Sequence, residues 1–448
     1  MKKFDTVVIG GGPAGITAAI SARRNYPQKS VALIRREEQV MIPCGIPYIF
    51  GTLKTPEQNL APDAGLKNNA IELIITGVDK IDAEKKSIQT PGGEISWDKL
   101  VIATGSRPFV PPIPGKNLKG VFDIKKDSNY LKELKKHIAE AKNIVIVGGG
   151  FIGVEFADEI VKTAGKSVSI IEMMPNCLAL SYDAEFCIEA EKKLRAAGVN
   201  VYTSTRVESF GGVEKIEFVK ISSGESVPAD LVILGIGAHA EVELARAAGI
   251  AIGSSGGIIV DRRMETSVKN IFSCGDCTEK YSFFGGRLSQ LKLASIATQE
   301  ARIAGANLFE TRLQGAGTLG VWSTMISSMA FATAGLTESA AVSMGYRVIT
   351  TSVEGINRHP GVMPGGHNTK LKLVFEASSS ILLGGQACGG ESVGDMVNVV
   401  AALIQKNMRA DEITLFQMGT HPALSASPIA YHLVNAAEMA CQKFLSKG

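Results

Sequence analysis

Two stretches of the chain repeat one pattern, and this duplication restricts the possible folds more than any other feature. The first is FDTVVIGGGPAGITAAI, beginning at Phe4; the second is KNIVIVGGGFIGVEFADEI, residues 142–160. Each reads as an apolar strand (Val7 to Ile9; Ile144 to Val147), a glycine turn and a helix, the first helix opened by Pro13 and Ala14. The glycines Gly10, Gly12, Gly15 and Gly148, Gly150, Gly153 occupy the G-x-G-x-x-G positions. In that spacing the first glycine permits the tight turn, the second lets a pyrophosphate reach the backbone, and the third lets helix pack on strand. The pyrophosphate then faces the positive end of the helix dipole. One such fingerprint is weak evidence, because glycine turns join strands to helices in many folds. Two complete copies predict two dinucleotide pockets in an α/β chain.

The copies differ at the strand beyond each helix. After the second helix, Ser167-Val168-Ser169-Ile170-Ile171 leads to Glu172, an acid at a strand end. A carboxylate there accepts from a ribose 2′-hydroxyl and repels a 2′-phosphate, which predicts NADH rather than NADPH. After the first helix, Val31 to Ile34 ends in Arg35-Arg36-Glu37-Glu38, so arginine stands where the acid is expected. Either Glu37 or Glu38 takes the ribose contact, or Arg35 packs on adenine.

Composition narrows the function classes. At ~150 residues per domain, 448 residues suit about three domains. With 45% hydrophobic and 20% charged residues the chain is expected to fold throughout. Its net charge of +3 has no like-charge block, so nucleic acid and anionic membranes are not the expected partners. Lys2 and Lys3 precede an apolar stretch, but Asp5 and the glycine run interrupt it, and no apolar run is long enough to span a bilayer. Seven dispersed cysteines fit a reducing compartment, and a cytoplasmic location is expected. No metal site is expected.

Further segments occur in a fixed order: Ala103-Thr104-Gly105-Ser106-Arg107-Pro108, then Leu234-Gly235-Ile236-Gly237, then Ile271-Phe272-Ser273-Cys274-Gly275-Asp276, then Gly335-Leu336-Thr337-Glu338. Together with the glycine units they resemble the pyridine nucleotide-disulfide oxidoreductases. The likeness is to the single-cysteine branch: coenzyme A disulfide reductases, NADH oxidases and peroxidases, and NADH-dependent sulfur or persulfide reductases. The resemblance implies an α/β fold with two Rossmann-like domains, for FAD and NAD, and a C-terminal α+β dimerisation domain in a homodimer. The implied divisions are 1–112 with 246–312 for FAD, 113–245 for NAD, and 313–448 for the dimer. Clustered Pro108, Pro111, Pro112 and Pro114 suit the first crossing. In the tail, Lys370 to Phe375 and Ile381 to Leu383 read as strands; Ser392 to Gln405 and Ile429 to Phe444 read as helices. The resemblance assigns Thr104, Gly105 and Asp276 to FAD, Asp276 to its ribityl chain, and Phe151, Glu155 and Gly237 to the NAD side.

Cys44 lies in Ile42-Pro43-Cys44-Gly45-Ile46-Pro47-Tyr48, which resembles the branch's C-G-I-P-Y element beside the flavin. A helix starting near Gly45 would lower the thiol pKa through its N–H groups and dipole. Two-cysteine relatives carry C-x4-C here, but position 49 is Ile49 and the next cysteine is Cys177. The thiol is therefore expected to cycle through a mixed disulfide, a persulfide or a sulfenic acid. The resemblance implies an FAD-dependent NADH oxidoreductase for a disulfide, persulfide or polysulfide. The alternatives are an NADH oxidase or peroxidase working through a sulfenic acid, or a non-catalytic redox-sensing flavoprotein.

His421-Pro422 resembles an H-P pair that the wider family sends across the dimer as an acid–base group, although Ala426 replaces the glutamate that orients it. The tyrosines of the coenzyme A branch are absent from Asn357-Arg358-His359-Pro360-Gly361. Arg23 and Arg24 end the first helix, where they could hold coenzyme A phosphates. Cys274 and Cys277 have C-x-x-C spacing without a second ligand pair, so a structural role is expected. With the sequence ending at Gly448, no rhodanese-like segment is expected, and a sulfur-carrier cysteine of that kind is expected on a separate partner.

Overall fold

The structure, a computed structural model, describes residues 2–446. It divides into two compact units. One runs up to Pro111 and takes in Asp123–Ala139 and Ile236–Thr318; the other comprises Pro112–Phe122, Glu140–Gly235 and the chain from Leu319 onward.

The first unit is built on a seven-stranded sheet. Glu72–Ile75, Val31–Arg35, Lys2–Ile9 and Gly93–Ile102 run parallel in that order, and Ile271–Ser273 also pairs parallel with Gly93–Ile102. Ser87–Thr90 and Lys80–Asp82 extend it antiparallel. Strand Val31–Arg35 is buried at every position and apolar over its first four residues, as suits a parallel strand covered on both faces. One face carries helices Pro13–Asn25 and Ala294–Asn307, packed through Ala14, Ala18, Ala22, Ala297, Ala301 and Ala304. Such small residues let the two backbones approach closely, and a Cβ on Gly305 would stand only 2.7 Å from the Ala18 carbonyl oxygen.

The second unit repeats the parallel plan with Leu231–Leu234, Asn143–Val147, Ser167–Ile171 and Val199–Tyr202 as neighbours. It also holds a five-stranded antiparallel sheet in the order Val321–Ile326, Met329–Gly335, Leu382–Gly389, Asn368–Glu376, Val348–Ile356. Helices Val393–Gln405 and His432–Leu445 lie against this sheet. Asp183 fastens the start of helix Ala184–Ala196 to this antiparallel sheet. Its carboxylate accepts from Gln386 Nε2 at 2.6 Å and from Lys372 Nζ at 3.0 Å, while its own N–H donates to Gln386 Oε1 at 2.7 Å. Among the described residues no helix is long and apolar enough to cross a membrane.

Candidate active site

Each glycine turn shows the division of labour that its spacing predicts. Gly10 has φ +118° and Gly148 has φ +102°, a region that disfavours side chains. A Cβ on Gly15 would collide with the Gly10 carbonyl oxygen, and one on Gly153 would collide with that of Gly148. At Gly12 and Gly150 a Cβ would meet nothing within 4 Å, so the backbone there is open to a ligand. These two residues are also the N-caps of helices Pro13–Asn25 and Phe151–Val161, and neither helix has a side-chain cap. Two uncapped helix starts behind open glycine backbone suit two pyrophosphates.

Behind the first turn, Arg35 is buried and its stem presses on Gly11. Its guanidinium binds both oxygens of Asp63 at 2.6 and 2.8 Å, and donates to the carbonyls of Glu37 and Glu38 at 2.8 and 2.7 Å. The Glu37 and Glu38 side chains are exposed. Between these feet the chain leaves as a two-stranded ribbon, Val40–Met41 against Leu60–Ala61, whose far end carries Cys44. Arg35 therefore ties the Cys44 excursion to the underside of the first glycine turn.

Cys44 is exposed. Its surroundings correct the expected helix: Pro43–Gly45 and Pro47–Phe50 form two successive 3-10 turns. Pro47 has no N–H with which to reach the Pro43 carbonyl, so that carbonyl takes Ile46 N–H at 3.3 Å and the tighter pattern results. Turns this short sum few aligned peptide dipoles. Asn59 props the turn, its Nδ2 donating to the Ile42 carbonyl at 2.9 Å; a Cβ on residue 45 would strike its Oδ1, which requires glycine there. Burial pushes the thiols of Cys177 and Cys187 up to about 12 and that of Cys388 to about 11. Cys274 and Cys277 are fully buried, in keeping with a structural role.

Thr104 and Gly105 lie at the end of the central strand. Thr104 Oγ1 donates to the Glu241 carbonyl at 2.5 Å, and the Gly105 carbonyl accepts from Glu241 N–H at 2.9 Å. Gly237 (φ +101°) belongs to this unit, its carbonyl accepting from Phe109 N–H where Ala238–Ala240 pairs with Ser106–Pro108. Asp276 accepts from Ser106 Oγ at 2.8 Å. Sequence reading missed the pair that sets the preceding residue. Lys280 Nζ lies 2.8 Å from Glu300 and donates to the Gly275 carbonyl at 2.8 Å, and Glu300 Oε2 accepts from Gly275 N–H at 2.8 Å. Both polar atoms of the Gly275 peptide are thus held by one buried ion pair.

In the second unit, Glu172 Oε2 accepts from Gly149 N–H at 2.5 Å and Oε1 from Met174 N–H at 2.6 Å, which fixes the carboxylate behind the turn. The Phe151 ring leans on Trp322 and Tyr182, with centroids 5.4 and 6.0 Å away. One turn further along the helix, Glu155 accepts from Thr324 Oγ1 at 2.8 Å; burial pushes its carboxyl up to about 7, with Glu159 and Asp158 adding to the rise. His421 sits in an exposed turn, its Nδ1 accepting from Ala423 N–H at 3.2 Å.

A groove of about 520 Å³ opens between the first and last helices of the first unit, lined by Thr17, Ser21, Arg24, Arg302 and Arg312. Arg23 is turned away, donating to the Lys29 carbonyl at 2.6 Å. Arg302 and Arg312 lie far along the chain from Arg24, so no local motif announced them.

Residues 4–301 match the family described as pyridine nucleotide-disulphide oxidoreductase, and 321–430 match its dimerisation domain. The chain belongs to this family. Membership makes it an NAD(P)H-dependent flavin oxidoreductase acting on sulfur or oxygen acceptors, with FAD and NAD(P)H as the implied cofactors. A relative in Pyrococcus horikoshii, the NAD(P)H coenzyme A polysulfide/persulfide reductase, is 35% identical over 413 residues, covering 90% of this chain and 91% of the relative. The structure of an NAD-dependent persulfide reductase from A. fulgidus superposes with TM-score 0.90 at 29% identity, over 98% of this chain and 84% of that one. A water-forming NADH oxidase from Lactobacillus brevis, solved with NADH, gives TM-score 0.90 at 26% identity with complete coverage of both chains. The open Gly12 and Gly150 cradles, each in front of an uncapped helix, fit the pyrophosphates of the two implied dinucleotides.

Proposed function

We propose that this oxidoreductase uses NADH to reduce the S–S bond of coenzyme A persulfide, or a related disulfide or polysulfide, through Cys44. The observation that carries the reading is an exposed thiol on an excursion knotted by Arg35 beneath the first glycine turn. The arginine-lined groove in the same unit supports a phosphate-rich thiol carrier as the substrate. In the functional division we favour, residues 1–112 and 246–312 hold FAD, 113–245 hold NADH, and 313–448 form the dimer.

Gly10, Gly12, Gly15 and the start of helix Pro13–Asn25 would hold the FAD pyrophosphate, with Thr104, Gly105 and Asp276 alongside the rest of the cofactor. When bound, FAD would supply the two-electron relay between NADH and sulfur. The Cys44 thiolate attacks the substrate S–S bond; one sulfur leaves as thiolate and Cys44 keeps the other in a mixed disulfide or persulfide. Two electrons cleave that bond and restore the thiolate. Over a cycle, R–S–SH, NADH and one proton give R–SH, hydrogen sulfide and NAD⁺. Gly148, Gly150 and Gly153 hold the NADH pyrophosphate, and Glu172 accepts from its adenosine ribose and repels a 2′-phosphate. We read Phe151 and Glu155 as nicotinamide-side groups and His421 as an acid–base or substrate contact contributed across the homodimer.

The test is anaerobic NADH consumption with coenzyme A persulfide, coenzyme A disulfide, polysulfide and peroxide, beside an aerobic oxygen arm. Turnover with a sulfur substrate that Cys44→Ser abolishes while flavin content is retained is expected. Activity confined to oxygen or peroxide would move the assignment to the oxidases, and a Cys44→Ser variant at full rate would remove the thiol from the mechanism.

A further inference from the structure

The Cys44 excursion is tied at its base by Arg35 and propped by Asn59; its far end, the stretch just after the second 3-10 turn, meets helix Ser128–Glu140 of the same unit. Asp127 Oδ1 accepts the Tyr130 N–H at 2.7 Å at the start of that helix, which buries Leu131, Leu134 and Ile138. With that stripe inward, Lys132 and Lys135, three positions apart, project along one flank. Lys135 Nζ donates to three backbone carbonyls, those of Ile49 at 2.6 Å, Lys54 at 2.8 Å and Leu53 at 3.3 Å. Lys132 Nζ stands 2.6 Å from Glu57 Oε1.

The chemistry of the match is specific. Ile49 lies in the second 3-10 turn, and Leu53 and Lys54 lie in the loop just after it. An ammonium brings three protons on a flexible stem, and here three carbonyls that point the same way receive them. Partial burial works against the ammonium, so the site holds it at some cost and the carbonyls offset that cost.

We propose that Lys135 is a positioning residue for the redox thiol: it gathers the carbonyls of Ile49, Leu53 and Lys54 and so fixes the turn pair that aims Cys44. The inference rests on the reading of Cys44 as the redox sulfur. Lys135→Met keeps the stem and removes the donors; Lys135→Arg keeps the charge and the donors.

Two measurements on the full-length protein decide it. In the first, amide hydrogen exchange across residues 42–56 should quicken about tenfold or more in Lys135→Met, with the sheet strands unchanged, and return toward the parent rate in Lys135→Arg. In the second, anaerobic reduction with NADH should give wild type a long-wavelength thiolate-to-flavin absorbance band. Lys135→Met should lose about half of it or more at full flavin occupancy, and Lys135→Arg should recover it. No such band in wild type would sink the reading of Cys44. A wild-type band that survives intact in Lys135→Met, or exchange rates that do not change, would sink the role of Lys135 alone. If Lys135→Met does not fold, the Lys135→Arg variant carries the test: a folded protein with parental exchange and band supports the role, and one with the band lost overturns it.

Discussion

Replacing Glu300 by glutamine isolates the ion pair that holds the Gly275 peptide. The carboxylate and the Lys280 ammonium lie 2.8 Å apart, with side chains 8% and 2% exposed. Glutamine keeps the shape and one acceptor oxygen but strands the ammonium away from water. Breaking a buried pair from one side costs about 3–5 kcal/mol, because the remaining charge is uncompensated. At about 2–4 °C per kcal/mol for a unit of this size, melting should fall by about 6–20 °C. Lys280→Met strands the carboxylate instead. Burial raises the Glu300 carboxyl. In Lys280→Met the native chain therefore keeps a proton that the unfolded chain releases, so stability is full below the unfolded carboxylate value and is lost as pH climbs through the higher native one. Thermal melts of Lys280→Met across about pH 5–9 give that slope. A Lys280→Met protein whose stability does not fall as pH rises, or a Glu300→Gln protein within about 1 kcal/mol of wild type at neutral pH, would refute the buried pair.

Three other outcomes are expected from the site geometry. The Glu155 carboxyl sits at about 7, above its ordinary 4.5, so its protonated form stabilises the fold at low pH and that contribution disappears as pH rises through about 7. Glu155→Gln should flatten this slope and be more stable than the parent by about 3 kcal/mol above pH ~8, read by urea titration; parallel pH profiles would contradict it. Glu172→Ala should lower kcat/KM for NADH by about tenfold or more while NADPH loses less, and an unchanged cofactor ratio would remove Glu172 from specificity. Arg24→Glu combined with Arg302→Glu should raise KM for coenzyme A persulfide by about tenfold or more and leave inorganic polysulfide turnover unaltered; equal effects on both substrates would argue against the groove as the carrier site.

What could be read from the sequence was what short-range geometry dictates. The glycine turns were legible because their spacing is local: the third glycine of each sits over the carbonyl of the first, five residues back, as Gly15 does over Gly10. The tail helices were legible from their apolar runs, whereas Met329–Gly335, with three alanines in seven residues and most of its length buried, shows no strand alternation. In the Cys44 segment the spacing suggests a helix from Gly45, but two prolines four apart force successive 3-10 turns instead. Arg35 reads from the sequence as a replacement for the acid or as a group packed on adenine; its pairing with Asp63 is one that a linear pattern does not connect to it. Lys135 acts on carbonyls more than 80 positions away, and Glu300 on a peptide 25 positions away. Such partners become visible only when the fold brings them together.

The exchange of electrons between one sulfur, Cys44, and the flavin is open to direct test by anaerobic titration of the purified protein with NADH, followed by visible spectra before and after alkylation. A long-wavelength charge-transfer band that grows with reduction and vanishes when Cys44 is alkylated is the predicted result. A flavin-loaded protein that shows no such band, or keeps it in Cys44→Ser, would overturn that role for Cys44.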